Sequence, residues 1–159
     1  MTEIYRIPRC EVPVRILVDD GRTLDGMLFT ADAGAAGRPG GVLQRLNEPD
    51  EEFVPMLCGE DRFLLNKAGI VWVQVTGSAA AELVDEAGFA QHVSVHVSLS
   101  GGGRIVGTLA IIMPLERSRT VDYLNASGRF LPVFGNRTVT LVQRRSVVTV
   151  RSGVGAERA

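Results

Sequence analysis

Two histidines are the residues of this sequence whose spacing best suits metal binding. His92 and His96 are four residues apart in a segment that alternates between apolar and polar side chains, so both would lie on one face of a strand. Two imidazoles on one face can bind a metal ion, but no Cys, Asp or Glu near in sequence supplies a third ligand. A solvated strand face shared with Ser94 and Ser98 explains the same positions better than a metal site does. We therefore predict no metal ion and no other cofactor.

The acidic and glycine-rich motifs do not form a catalytic set. Asp19, Asp20 and Asp25 could supply a carboxylate pair, but Asp-Asp-Gly is typical of a turn, and no histidine is close in sequence. The run Gly101-Gly102-Gly103-Arg104 would need a following helix to bind phosphate, and a strand-like segment follows instead. The motifs of serine hydrolases and zinc proteases are missing. The sequence therefore predicts a protein that is not an enzyme.

The arginines of the second half are the strongest candidates for binding a ligand. Between residues 91 and 151 there are 8 Arg against 2 acidic residues, whereas between residues 11 and 75 there are 6 Lys or Arg against 11 Asp or Glu. Arginine can bind phosphate through two hydrogen bonds, so the basic half could contact nucleic acid. The two halves could equally attract each other, within one chain or head to tail. The candidate nucleic-acid contacts are Arg117, Arg119, Arg144 and Arg145.

These residues belong to a chain in which one pattern occurs twice. From Glu11 onward, apolar residues alternate as in a half-buried strand, a turn follows at Asp20-Gly21, and the returning strand contains an internal glycine. The same order returns from residue 91. Four pairs of positions match. Gly26 and Gly107 are 81 residues apart, and Asn47 and Asn125 are 78 apart. Pro55 with Pro132, and Ile70 with Val147, are each 77 apart. We interpret the pattern as an internal duplication with deletions in the loops.

The duplication predicts two small units in the 159-residue chain. We place the first at residues 1–76, a linker containing a short helix at 77–90, the second unit at 91–151 and a loose tail at 152–159. A unit of about 60 residues is marginal as an isolated core. We therefore expect the halves to pack together or the chain to dimerise.

The composition is that of an ordinary water-soluble chain. Hydrophobic residues make up 45% and charged residues 22%, and no run of 18 apolar residues could span a membrane. No secretory signal is present in the first ten residues. Cys10 and Cys58 are too few for a disulfide framework, so we expect reduced thiols. The predicted location is the cytoplasm, without a membrane partner.

The first half resembles the Sm-like (LSm) family at two separated places. The first motif of that family is matched by Val14, Ile16, Val18, Asp20-Gly21-Arg22, Gly26 and Asp32. The apolar spacing of the second motif is kept by Leu65, Ile70 and Val73, and in the second half by Val142, Val147 and Val150. The resemblance implies an all-β fold of two tandem Sm-like or other SH3-like small barrels. Because Sm-like barrels join edge to edge into rings, it also implies that one chain could supply two ring positions.

The departures from the family pattern affect its RNA pocket. Asn66-Lys67 and Gln143-Arg144 replace the Arg-Gly pair of the second motif, and Ala36 stands where the family has a pocket asparagine. In the second half, Met113 replaces the motif aspartate and Gly101–Gly103 replace Asp-Gly-Arg. The resemblance thus implies the fold without the pocket.

One shared segment departs from the family in another way. In both halves, Leu-Asn, which contains Asn47 or Asn125, precedes Phe-x-Pro, and this order is not an Sm feature.

We predict a non-catalytic protein-interaction or assembly module that binds a protein partner or forms a homo-oligomer. The alternative is an RNA- or DNA-binding protein that uses the basic second half.

Overall fold

The structure of the chain is a computed structural model that describes residues 9–31, 41–88, 90–111 and 120–152. Within these ranges the backbone forms ten β-strands and three short α-helices, which confirms the predicted all-β class. The strands are β1 (Arg9–Val18), β2 (Thr23–Ala31), β3 (Phe53–Cys58), β4 (Asp61–Asn66), β5 (Ile70–Thr76), β6 (Gln91–Leu99), β7 (Arg104–Ile111), β8 (Phe130–Phe134), β9 (Thr138–Gln143) and β10 (Val147–Ser152). The helices are α1 (Val42–Leu46), α2 (Gly77–Glu86) and α3 (Thr120–Ala126).

All ten strands belong to one sheet, in the order β10-β6-β7-β8-β9-β5-β1-β2-β3-β4. The first five strands have the order β5-β1-β2-β3-β4 and the second five the order β10-β6-β7-β8-β9, so the two halves have the same connectivity. The sequence predicts two tandem small barrels. The structure has one continuous sheet, because β5 of the first half pairs with β9 of the second, and this sheet is not closed.

The alternation of β1 explains why its sequence forms a strand. Val14, Ile16 and Val18 are buried on one face. On the other face Arg15 is exposed, and its Nε lies 2.8 Å from Asp25 Oδ1 on β2. Since successive side chains of a strand point to opposite faces, this period of two places one row in the core and the other in solvent.

The Asp-Gly-Arg sequence at positions 20–22 forms the turn between β1 and β2. Gly21 has a φ of 94°, a conformation that favours glycine because it has no Cβ. The Arg22 backbone N–H donates to Asp20 Oδ1 over 2.9 Å, and this hydrogen bond, together with the Arg22 guanidinium, lowers the pKa of the Asp20 carboxyl. These motif residues therefore interact with one another within the turn.

Gly26 and Gly107 have the same packing role in the two halves. A methyl carbon added at Gly26 would lie 2.3 Å from the carbonyl oxygen of Leu57 on β3. One added at Gly107 would lie 2.6 Å from the carbonyl oxygen of Phe134 on β8. Because no side chain fits in either place, only glycine allows the neighbouring strand to approach this closely.

The helices are short and serve as connections. α2 occupies most of the segment that the sequence predicts as a linker, and its Ala80 is buried in the core of the first half, with Leu83 packed beside it. No helix in the ranges that the structure describes is long and apolar enough to cross a lipid bilayer.

The two halves share their hydrophobic cores. One cluster of buried side chains is built mainly from the first half but includes Phe130, Val139 and Leu141 of the second. The other is built mainly from the second half but includes Val71 of the first. The halves therefore pack together, as expected for units this small, and the place where they meet is the best-defined interface of the molecule.

Candidate assembly interface

The two halves meet along strands β5 and β9, a contact that we call the inner junction. The strands pair antiparallel, from Trp72 opposite Val142 to Thr76 opposite Thr138. On the core-facing side, Val73 lies opposite Leu141 and Val75 opposite Val139, and all four side chains are fully buried. The inner junction therefore combines a backbone ladder with a dry apolar contact.

Phe130 inserts from the second half into the core of the first. It is the first residue of β8, and it packs in the cluster that contains Leu46, Val54 and Met56. Only 1% of its surface is exposed. Fully burying a Phe side chain contributes about 1.5–3 kcal/mol, so Phe130 is a principal anchor of the inner junction.

Asn47 binds the backbone at the base of this side chain. Its Nδ2 donates to the carbonyl oxygen of Phe130 over 3.1 Å, and its Oδ1 accepts from the backbone N–H of Phe130 over 2.6 Å. Gly128 lies so close that a methyl carbon added there would be 2.9 Å from Asn47 Cγ. The motif residue Asn47 thus fixes the position of Phe130 from the opposite half.

Charged and amide groups complete the inner junction. The Arg129 guanidinium donates to both carboxylate oxygens of Glu52, over 3.2 and 2.9 Å, and these bonds lower the pKa of Glu52. The buried Gln143 donates from Nε2 to the carbonyl oxygens of Lys67 and Ile70. The Arg129–Glu52 pair shows that part of the charge asymmetry in the sequence is used between the halves.

Lys67 stands at a position of the family's Arg-Gly pair, but it points into the protein. Its side chain is fully buried, and its Nζ donates to the carbonyl oxygens of Arg45, over 2.8 Å, and Glu48, over 3.1 Å. Burial lowers the pKa of this amine, while the carboxylate of Glu51, 3.7 Å away, opposes the shift. Lys67 therefore caps the carboxyl end of α1, where a cation is stabilised by the helix dipole.

Arg144 has the corresponding role at α3. Its Nη1 donates to the carbonyl oxygens of Ser127, over 2.6 Å, and Leu124, over 3.2 Å. Of the other candidate nucleic-acid contacts, Arg145 is exposed, whereas Arg117 and Arg119 lie outside the described residues. Of the two candidates that the structure describes, Arg144 is therefore engaged within the fold and Arg145 is exposed.

The remaining candidates for chemistry do not converge on a site. His92 is exposed and His96 half-buried on β6, and no group of three or more His, Cys, Asp and Glu that could hold a metal occurs in the described part of the chain. Asp32, Ala36 and Met113 of the motif comparison fall outside that part. A cavity of about 750 Å³ between α1 and α2 is lined by Glu11, Glu48 and Glu82, whose charges would repel a phosphate.

The two ends of the sheet are open edges. Each of β4 and β10 has a neighbour on one side only among the strands that the structure describes. Near β4, Phe53 is 52% exposed, Phe63 41% and Leu64 74%, and on β10 Val148 is 64% exposed. Unpaired edge strands that carry exposed apolar side chains are typical sites for pairing with another chain.

Beside the β10 edge lies an open apolar cleft of about 170 Å³. Its walls include Leu124, Leu131, Val147 and Val150. Asn125 lies at the cleft, where its side chain is exposed and forms no hydrogen bond with another described residue. The cleft is therefore an apolar site with a polar group at its margin.

Sequence reasoning identified Asn47, Asn125 and the Phe-x-Pro segment but not their use. The ring of Phe130 is buried at the inner junction and is not accessible. The signal in the sequence was the repeated order of asparagine and phenylalanine, which has no meaning until the pairing of β5 with β9 is known. Comparison with protein-family models, curated proteins and solved structures found no match to this chain.

Proposed function

We propose that this protein is a non-catalytic assembly module, made of two Sm-like units derived by duplication, which binds another polypeptide through the open edges of its sheet. The observation that carries the proposal is the pair of unpaired strands, β4 and β10, at opposite ends of the sheet. A strand edge presents a row of free N–H and C=O groups, and an added strand satisfies them.

The shared strand order supports a tandem arrangement. Both halves place their fifth strand beside the first and leave the fourth at the far edge. Within the chain, the fifth strand of the first half, β5, already pairs with the fourth strand of the second, β9. The strands left over are therefore a fourth strand and a fifth strand, the same two kinds that pair at the inner junction.

The test is the mass of the protein in solution. We expect light scattering over a concentration series to show a mass above that of one 17.1 kDa chain, either alone or with a protein partner. Leu64→Lys, which places a charge on the exposed β4 edge, should lower the mass without changing the circular dichroism spectrum. A mass of one chain at every concentration, with no protein partner bound at either edge, would overturn the proposal.

The alternative is an RNA- or DNA-binding protein that uses the basic second half, in which Arg145 is exposed. It predicts binding to a labelled oligonucleotide that weakens steeply between low and moderate salt, because each phosphate contact releases counterions. Arg145→Glu should then reduce binding, and Arg62→Glu, in the first half, serves as the matched control. The engagement of Arg144 with carbonyl groups makes this the weaker proposal.

A further inference from the structure

The cleft of the second half corresponds to the place in the first half that Phe130 fills. Under the sequence offsets given above, Leu124, Leu131 and Val147 are the counterparts of Leu46, Val54 and Ile70. In the first half these counterparts are 0–1% exposed and pack in one cluster with Phe130. In the second half they line an open cleft, and Leu124 and Val147 are only half-buried. Among the residues that the structure describes, the second half thus has the site without an occupant.

The chain also contains the matching occupant. Phe53 is the counterpart of Phe130, 77 residues earlier, and each is the first residue of a Phe-x-Pro strand. Phe130 is 1% exposed, whereas Phe53 is 52% exposed. Phe53 lies on β3, beside the open edge strand β4, while the cleft lies by the β10 edge at the other end of the sheet. Because Phe53 and the cleft lie at opposite ends of the sheet, a single copy cannot place its own Phe53 in its own cleft while it keeps this strand order.

We infer that a second copy of this chain docks head to tail, with its β4 edge along β10 and its Phe53 in the cleft of the second half. This inference rests on the proposed assembly function and names the partner. Because the two surfaces are different, the contact is heterologous, so successive copies form a closed ring or a filament rather than a two-fold dimer.

The inner junction specifies the register of the outer one. Val73 lies opposite Leu141 at the inner junction, and their counterparts are Val150 on β10 and Leu64 on β4. Leu64 is 74% exposed and Val150 lines the cleft. Docking in this register would therefore cover the most exposed large apolar side chain that the structure describes.

The polar groups at the outer edges are complementary as well. Asn125 is the counterpart of Asn47, so in the docked pair it faces the backbone N–H and C=O of the neighbour's Phe53. Arg129 and Glu52 occupy equivalent positions in the two halves, so the new contact brings the neighbour's Glu52, which is already bonded to its own Arg129, towards the Arg129 of this chain. The contact therefore satisfies the polar groups next to the phenylalanine and places no like charges together at this point.

Two differences between the halves make the outer contact weaker than the inner junction. The counterpart of Gly128, which leaves room for Asn47, is Glu51, and the counterpart of the buried Val139 is Arg62. A larger side chain and a charge both reduce complementarity. We therefore expect the outer contact to dissociate on dilution, while the inner junction opens only when the chain unfolds.

The first experiment compares Phe53→Ala with the wild-type chain by light scattering and sedimentation velocity. Hot-spot aromatic residues at interfaces contribute enough that removing this ring should raise the dissociation constant of self-association about 30-fold or more. The melting temperature should change little because the ring is half exposed. Phe63→Ala, a nearby exposed aromatic residue whose counterpart is Thr140, is the matched control and should weaken assembly less.

The second experiment tests the register directly, with Cys10 and Cys58 replaced by serine. Under mild oxidation, a chain with Val150→Cys and Leu64→Cys should form covalent multimers, since directly opposed strand residues lie at disulfide distance. Val150→Cys with Phe63→Cys should not, because a shift of one residue turns the side chain to the other face. A wild-type protein that is monomeric at every concentration would overturn this inference. An oligomer that keeps its affinity in Phe53→Ala and forms no Val150–Leu64 cross-link would overturn this inference alone and leave the assembly function standing.

Discussion

The inner junction and the outer edges contain corresponding strands in opposite states. At the inner junction β5 and β9 are paired, Phe130 is buried and Asn47 holds its backbone. At the outer edges β10 and β4 are unpaired, Phe53 is half exposed and Asn125 has no side-chain partner among the described residues. The asparagine and phenylalanine pattern is therefore the same at both places, whereas only the inner junction has its adjoining unit within the chain. It follows that substitutions at the inner junction should affect folding, whereas their counterparts should affect assembly.

The largest expected effect is at the phenylalanine pair. Phe130→Ala removes a fully buried ring, and truncations of this kind cost about 3–5 kcal/mol because they leave a cavity. The change in the free energy of unfolding can be measured by urea denaturation. Phe53→Ala, measured at a concentration where the protein is monomeric, should cost about 1 kcal/mol or less.

Comparing Phe130→Ala with Phe53→Ala decides whether the inner junction and the outer edge have different roles. Equal losses of stability in the two variants would mean that Phe53 also supports the fold of its own chain. A loss confined to Phe130→Ala, with assembly lost in Phe53→Ala, would establish one folding contact and one docking contact.

The asparagine pair should give a smaller effect of the same kind. Asn47→Ala removes the partner of the Phe130 backbone N–H in a part-buried setting, which costs about 1–3 kcal/mol. Asn125→Ala leaves the monomer within about 0.5 kcal/mol, because its side chain is exposed. Thermal unfolding and the concentration dependence of the mass separate the two effects. A loss of monomer stability in Asn125→Ala would contradict the comparison.

The local features of the fold could be predicted from the sequence. The alternation in β1 and the turn at Gly21 are determined by neighbouring residues, and the all-β class follows from such local patterns. The pairing of β5 with β9 could not be predicted, because no local period shows which strand edge another strand will join.

The same limit applied to the candidate site. Asn47 stood out as a repeated residue, but its partner Phe130 is 83 positions away. In the sequence Lys67 is only a departure from a family motif, and a lysine is rarely expected to be fully buried. Its role depends on three carbonyl and carboxylate groups that the fold brings together from the α1 end.

The smallest expected effect is the pH dependence of the Glu52–Arg129 pair. Hydrogen bonds from Arg129 lower the pKa of Glu52 below its ordinary value of 4.5 in the folded chain. The unfolded chain therefore binds more protons in this range, so the pair stabilises the fold fully above pH 4.5 and loses this contribution as the pH falls through the lowered pKa. Glu52→Gln should flatten the decline of the free energy of unfolding below pH 4.5, and Arg129→Gln should flatten most of it, because Lys67 and Arg145 also lower this pKa. Because the pair acts as a unit, the double variant should add nothing further, and additive effects of the two substitutions would show that Glu52 and Arg129 contribute to the inner junction independently.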